Sequence, residues 1–143
     1  MIRNCRIRNS CRFQSAVTLE YCDIASFLWF YGNELEGPMP SGSIVRHNIL
    51  KRGRGNPRLA LSFLGELHTD PRSTKRTVPT KEQEFPLSNI LLKGNRIYGD
   101  LTIDRVYGIT LRDNVFVEGI GESALVDCFE IQSKGNSHAL PMP

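Results

Sequence analysis

The sequence predicts an all-β solenoid, one short strand-and-turn phrase wound repeatedly around a filled core. Three observations predict it. First, 8 prolines, 12 glycines and nine asparagines punctuate the chain, and no long stretch holds apolar residues at the i, i+3, i+4, i+7 spacing of a helix. Second, short β-branched runs ending in Asn or Gly recur throughout. Third, those runs align on one another, and internal self-similarity outranks local propensity as a guide to fold. An antiparallel β-sandwich is the alternative with similar punctuation, but it has no reason to repeat one phrase in register.

The copies run in order along the chain. Met1 to Ile7 is the phrase without its first residue, and Val17 to Ile24 carries it with Cys22 in the Asn place. Leu28 to Leu35 is a looser copy, with Asn33 in that place. Ser43 to Leu50, Ile90 to Ile97 and Ile109 to Phe116 follow, with Asn48, Asn95 and Asn114. A strand alternates its side chains, so Ile2, Leu19, Val45, Leu92 and Leu111 form one inward column. Three residues later the chain must turn. Asn tolerates left-handed backbone angles there, and stacked Asn side chains would form a ladder of amide bonds. Ile7, Ile24, Leu50, Ile97 and Phe116 supply the next inward residue. The steps are 17 residues from Ile2 to Leu19, 26 to Val45, 47 to Leu92 and 19 to Leu111. The long step needs an insertion, with Leu59 to Phe63 as an added strand. About twenty residues per step, with two or three short strands each, describe a solenoid coil.

The repeated I-x-L-x-x-N-x-[IF] phrase resembles right-handed parallel β-helix repeats, the coil of the pectate-lyase-like superfamily. The resemblance covers roughly Met1–Ile24, Ser43–Gly53 and Ser88–Ile131. It implies the scaffold only, because that fold serves lyases, glycosidases, esterases, phage tailspikes and adhesins. Such solenoids usually carry an N-terminal cap, yet Met1 falls inside a repeat phrase, so a fragment of a longer protein is expected.

Composition agrees with one β-helix domain over residues 1–143, incomplete at one or both ends, with a loop insertion at 66–86. The chain has 143 residues, 40% of them hydrophobic, enough to bury a core. The apolar run from Ile24 to Tyr31 is far short of the ~20 residues of a membrane span. No charged and then apolar segment opens the chain, so no signal peptide is expected in it. The full-length protein is expected to be extracellular or periplasmic. A charge of +3, with acidic residues scattered among 13 arginines, argues against a nucleic-acid partner. Cys5, Cys11, Cys22 and Cys128 contain no C-x-x-C pair and read as small core residues rather than a zinc site.

Candidate chemistry sits on the outer faces and loops, because the core is filled. The position after the inward Leu points outward and reads Arg3, Glu20, Arg46, Lys93, Arg112. Arg6 and Arg96 join a neighbouring outward column. A row of like charges is repulsive unless an anion meets it or carboxylates interleave, so it reads as a groove for an acidic polymer or as a solvated face. Trp29 and Tyr31 share one strand face, suited to sugar stacking or to covering an edge. The insertion offers His68, Asp70, Arg72, Lys75 and Arg76. There is no G-x-S-x-G, P-loop, G-x-G-x-x-G or H-E-x-x-H. The paired-aspartate and Gly-His-Gly phrases of polygalacturonase relatives are also missing, so no family catalytic residue maps here.

By fold-level analogy the expected activity is a polysaccharide lyase on a uronate-containing polymer, with the polysaccharide as partner. Elimination needs the carboxylate neutralised, a base for the ring proton and an acid for the leaving oxygen. Arg46, His47, Lys93 and Arg112 are the catalytic candidates, with Tyr21 or Tyr98 as the acid. Arg3, Trp29, Tyr31, Lys51, His68, Arg72 and Arg96 are the substrate-binding candidates. Asp104, Asp113 and Asp127 are candidate ligands for Ca²⁺, which would neutralise the uronate in place of cations. Two readings stay open beside it: a glycoside hydrolase, with Asp104 and Asp113 as its carboxylate pair, and a non-catalytic carbohydrate-binding or structural β-helix.

Overall fold

The structure is a computed structural model and describes residues 1–9, 11–33, 39–52, 59–66, 79–118 and 125–139. Its strands come in threes. The first coil holds β1 (Ile2–Arg3), β2 (Arg6–Ile7) and β3 (Cys11–Phe13), and the second β4 (Thr18–Glu20), β5 (Asp23–Ala25) and β6 (Leu28–Asn33). The third holds β7 (Ile44–Arg46), β8 (Ile49–Lys51) and β9 (Leu59–Glu66). The fourth holds β10 (Leu87–Lys93), β11 (Arg96–Tyr98) and β12 (Asp100–Asp104), and the fifth β13 (Val106–Arg112), β14 (Val115–Glu118) and β15 (Leu125–Val126). Then come β16 (Phe129–Lys134) and β17 (Ser137–His138). Every strand pairs in parallel with the strand three places away, which builds sheets of six, six and five strands. This connectivity is consistent with a parallel β-helix and excludes the antiparallel sandwich.

Register bears out the inward column: Ile2 opposes Leu19, Leu19 opposes Val45, and Leu92 opposes both Val45 and Leu111. Leu19, Val45, Leu92 and Leu111 are fully buried. Fully burying each aliphatic side chain contributes roughly 1.5–3 kcal/mol. The third sheet adds an aromatic stack to the same core, with Phe13 to Phe30 at 5.1 Å and Phe30 to Phe63 at 4.5 Å between ring centres. Cys22 belongs to this core, Cys11 and Cys128 pack against it, and Cys5 is exposed.

The predicted asparagine ladder is present. Asn48 donates through Nδ2 to Asn95 Oδ1 at 3.1 Å, Asn95 to Asn114 at 3.0 Å and Asn114 to Asn136 at 3.0 Å. Each Oδ1 also accepts the backbone N–H of the rung before it, and each Nδ2 also donates to a backbone carbonyl, as Asn95 does to Val45 at 2.7 Å. Cys22 continues the column. Its N–H donates to Asn48 Oδ1 at 2.9 Å, and its Sγ accepts from the Cys5 N–H at 3.4 Å.

Two expectations need correction. The left-handed residue is not the ladder residue but the one before it: Asn4, Tyr21, His47, Gly94, Asp113 and Gly135 all have φ between 54° and 72°. One left-handed residue turns the chain outward at the corner, and the next side chain then points inward, where an amide can satisfy backbone groups. Asn is therefore selected for its hydrogen bonds. The looser copy at Leu28 is not a copy in frame either. Leu28 opposes Cys11 and Leu61 in the third sheet, so Asn33 stands outside the ladder column.

Gly94 shows what the corner demands. Its φ is +63°, and a Cβ there would stand 2.7 Å from His47 Nδ1. The exposed imidazole can move, so backbone strain dominates. Gly94→Ala is expected to cost about 1–2 kcal/mol in urea unfolding, and Gly94→Asn clearly less, because Asn tolerates the left-handed region.

The insertion begins later than the sequence suggests. Glu66 still belongs to β9, where it opposes Asn33. Residues 67–78, with His68, Asp70, Arg72, Lys75 and Arg76, lie outside the described residues. The segment returns through a single 3₁₀ turn at Glu82–Glu84, and Phe85 is buried against Tyr107 and Phe129.

Candidate functional site: the outer face of the first sheet

Alternation along the strands of the first sheet turns one column of charge outward, and register holds it straight. Arg3 opposes Glu20, Glu20 opposes Arg46, Arg46 opposes Lys93, Lys93 opposes Arg112, and Arg112 opposes Lys134. Neighbouring rungs lie about 4.8 Å apart. Arg46, Lys93 and Arg112 therefore share one face, together with Arg3.

The column has two halves of different character. In the first three coils the side chain of Glu20, only 4% exposed, takes Arg3 Nε at 3.2 Å and Arg46 Nε at 2.6 Å. This clamp is closed: a nearly buried carboxylate holds both guanidiniums, and Arg46 is engaged rather than available as a base or neutraliser. In the last three coils no carboxylate interleaves. Arg112 pairs with its neighbour Asp113 at 3.3 Å, but both side chains are more than half exposed, and such pairs contribute about 0–1 kcal/mol. Among the described residues Lys93 and Lys134 have no ion-pair partner.

Beside the cations the surface is concave and part polar, part apolar. Leu91, Thr110 and Gln132 form the adjacent outward column. Beyond it Asn89, Gly108 and Glu130 all take left-handed angles, at φ 57°, 75° and 55°, and bend three strands together. Asn89 Oδ1 lies 2.9 Å from where a Cβ on Gly108 would stand, so a side chain there would displace the Asn89 amide. The bend leaves a concavity of about 420 Å³ lined by Asn89, Tyr107, Thr110, Glu130 and Gln132. A smaller one of about 180 Å³, lined by Thr110, Arg112, Gln132 and Lys134, shares two of those residues. The two form one trough with cations along one side. Partial burial, and then the Glu130 and Glu82 carboxylates, push the Tyr107 phenol above its ordinary value. Like any phenol, it carries its proton at neutral pH.

The other predicted residues are dispersed. His47 is exposed at the corner next to this face, stacked on Tyr21 with ring centres 5.3 Å apart. Lys51 and Arg96 belong to the second sheet, where Lys51 pairs with Asp23 at 3.3 Å and Arg96 Nε donates to the Tyr98 hydroxyl at 2.7 Å. Trp29 and Tyr31 lie on the third sheet, opposite buried Leu28 and Phe30 as alternation requires. The guanidinium of Arg12 lies over both rings, at 5.0 and 4.4 Å, and Tyr31 is only 9% exposed. The aromatic pair and the basic column therefore sit on different sheets and do not form one groove.

The three aspartates do not converge either. Asp104 ends β12 in the third sheet and pairs with Arg105 at 3.3 Å, and Asp127 is at the corner that follows β15. Asp113 is at the corner after β13, a full strand of the first sheet away. Among the described residues no three His, Cys, Asp or Glu side chains group as metal ligands, so this trio does not fit Ca²⁺. Nor do Asp104 and Asp113 flank a common site as a hydrolase pair must.

Lys134, Thr110, Gln132, Tyr107 and Glu130 were not singled out in the sequence. One signal pointed to them: Ile131 to Asn136 repeats the phrase with Ser133 in place of the inward Leu. Among the described residues no helix is long and apolar enough to cross a membrane. Compared with known proteins, the chain matches no family model, no curated protein and no solved structure.

Proposed function

We propose that the chain binds an acidic, uronate-containing polysaccharide along the outer face of the first sheet, over its last three coils. One observation carries the reading: Lys93, Arg112 and Lys134 stack in register without an interleaved carboxylate, whereas Glu20 closes the same column in the first three coils. Such a row is repulsive on its own and is relieved by an anion that presents charges at a similar spacing. The hydroxyls and amides of Thr110, Gln132 and Asn89 would meet the sugar hydroxyls. The finer reading of the scaffold, right-handed coils of the pectate-lyase-like kind, rests on the three parallel sheets and the ladder, with right-handed crossovers as the rule for parallel strands. A ligand of this class is found outside cells, in keeping with an extracellular or periplasmic protein.

A second reading, β-elimination on the bound uronate, is favoured by Tyr107. A phenol that keeps its proton at the edge of the trough can supply the acid for the leaving oxygen, with Lys93 and Arg112 neutralising the carboxylate. Affinity electrophoresis in gels containing polygalacturonate, alginate or a neutral glucan tests the first reading. The expected result is retardation by the acidic polymers only, weakened by salt, with about tenfold lower affinity for Lys93→Ala and for Lys134→Ala. Equal retardation by the neutral glucan, or none by any polymer, would overturn it. Ultraviolet absorbance from unsaturated uronate ends, lost in Tyr107→Phe, would establish the elimination.

A further inference from the structure

Below Asn48 the ladder column carries two sulfurs rather than two amides, and they face each other. Register places Arg3 against Glu20 and Arg6 against Asp23, which sets Cys5 directly opposite Cys22 on the neighbouring coil. The Cys5 N–H donates to Cys22 Sγ at 3.4 Å, so the second sulfur stands beside the backbone of the first. Both are free thiols, bonded to carbonyls of their own turns: Cys5 Sγ donates to Arg3 O at 3.3 Å and Cys22 Sγ to Glu20 O at 3.2 Å. Adjacent rungs are about 4.8 Å apart, inside the ~4.4–6.8 Å range of Cα separations that a disulfide spans. Cys5 is exposed and Cys22 is 2% exposed, which gives one sulfur for an oxidant to meet and one, sheltered, to resolve it.

We propose that Cys5 and Cys22 are an oxidation site at which a disulfide staples the first coil to the second. The co-reactant is a small disulfide such as oxidised glutathione. The Cys5 thiolate, its proton given to water, attacks one glutathione sulfur and expels a glutathione thiolate, leaving a mixed disulfide. The Cys22 thiolate, likewise deprotonated, then attacks the Cys5 sulfur and expels the second glutathione. The protein loses two hydrogens and two electrons, and one glutathione disulfide becomes two thiols. The carbonyl bonds of both thiols are given up, while the Cys22 N–H bond to Asn48 that anchors the ladder needs neither thiol proton. Closing this short loop restricts the unfolded chain, so the bridge stabilises these two rungs in an oxidising compartment.

The test is incubation of the whole chain with oxidised glutathione, then tryptic mass mapping without reductant and thermal unfolding. The expected result is a Cys5–Cys22 linked peptide, two hydrogens lighter than the separate peptides. Tm should rise by roughly 5 °C or more, and both effects should be reversed by dithiothreitol. Cys5→Ser should lose the link and the Tm gain, whereas Cys128→Ser should keep both. A mixed disulfide that persists at Cys5, a bridge that uses Cys11 or Cys128, or a Tm that falls on bridging would each overturn the proposal.

Discussion

Asn95→Ala should lower the stability of the fold by about 4 kcal/mol, read as a shift of the urea midpoint with unchanged slope. The side chain of Asn95 is 1% exposed and makes four hydrogen bonds. Its Oδ1 accepts from the backbone N–H and the Nδ2 of Asn48, both at 3.1 Å, and its Nδ2 donates to Val45 O at 2.7 Å and to Asn114 Oδ1 at 3.0 Å. Alanine removes four bonds to three other residues and strands the buried Asn48 N–H, while Asn48 Nδ2 keeps Leu19 O and Asn114 Oδ1 keeps the Asn95 N–H. A buried donor or acceptor left without a partner costs about 1–3 kcal/mol, and the bonds of a ladder strengthen one another. The total is a large fraction of the roughly 5–15 kcal/mol that holds a domain together. The Asn95→Asp variant separates hydrogen bonding from volume. Its carboxylate can accept from Asn48, but it cannot donate to Val45 or Asn114, and it buries a charge, so it should be no better than alanine. Were Asn95→Ala to cost less than 1 kcal/mol, the ladder would be ornamental and the apolar columns would define the coil alone.

The ladder and the inward column were legible in the sequence because both depend on one residue type recurring at one register. Leu19, Val45, Leu92 and Leu111, and Asn48, Asn95 and Asn114, announce themselves by repetition. The corner angle was not legible at the right residue. Asn4, Tyr21, His47, Gly94, Asp113 and Gly135 share a backbone conformation and no side-chain chemistry, so the eye goes to the Asn beside them. The last coil escaped because Ser133 replaces the inward Leu, and with it went Lys134. Which candidates would meet was less legible still. The columns of Arg112, Arg96 and Tyr31 all alternate outward, but a coil of three strands sends successive strands to three different faces, and a one-dimensional pattern carries no label for the face. The clamp at Glu20 was visible only as an interruption of the basic row. Its meaning depends on a carboxylate being nearly buried between two guanidiniums, which is a property of packing.

Arg112→Glu should raise stability slightly while abolishing the affinity for polyuronate. The substitution turns Lys93, Arg112, Lys134 into a cation–carboxylate–cation triad, the pattern that Arg3, Glu20 and Arg46 already form three coils away. Across ~4.8 Å in water, each neighbouring pair of cations repels by a little under about 1 kcal/mol before screening, and the reversal replaces two repulsions by two attractions. The present Arg112–Asp113 pair is lost, but with both partners over half exposed it contributes little. A gain of about 0.5–1 kcal/mol in urea unfolding at low salt follows, and it should fade as salt is added. Binding responds in the opposite sense. A uronate loses one charged hydrogen-bond partner, meets a carboxylate in its place, and finds the flanking lysines already occupied; a loss of at least about 100-fold is expected. Opposite signs in the two assays are what separates a face kept open for an anion from a face that is merely solvated. If the row were only surface charge, the stability gain would appear and the electrophoretic mobility in polygalacturonate would follow net charge alone. Asp113→Lys supplies that comparison. It changes the net charge by the same amount in the other direction at a neighbouring position outside the column, and it should leave the affinity within a few-fold of the native value.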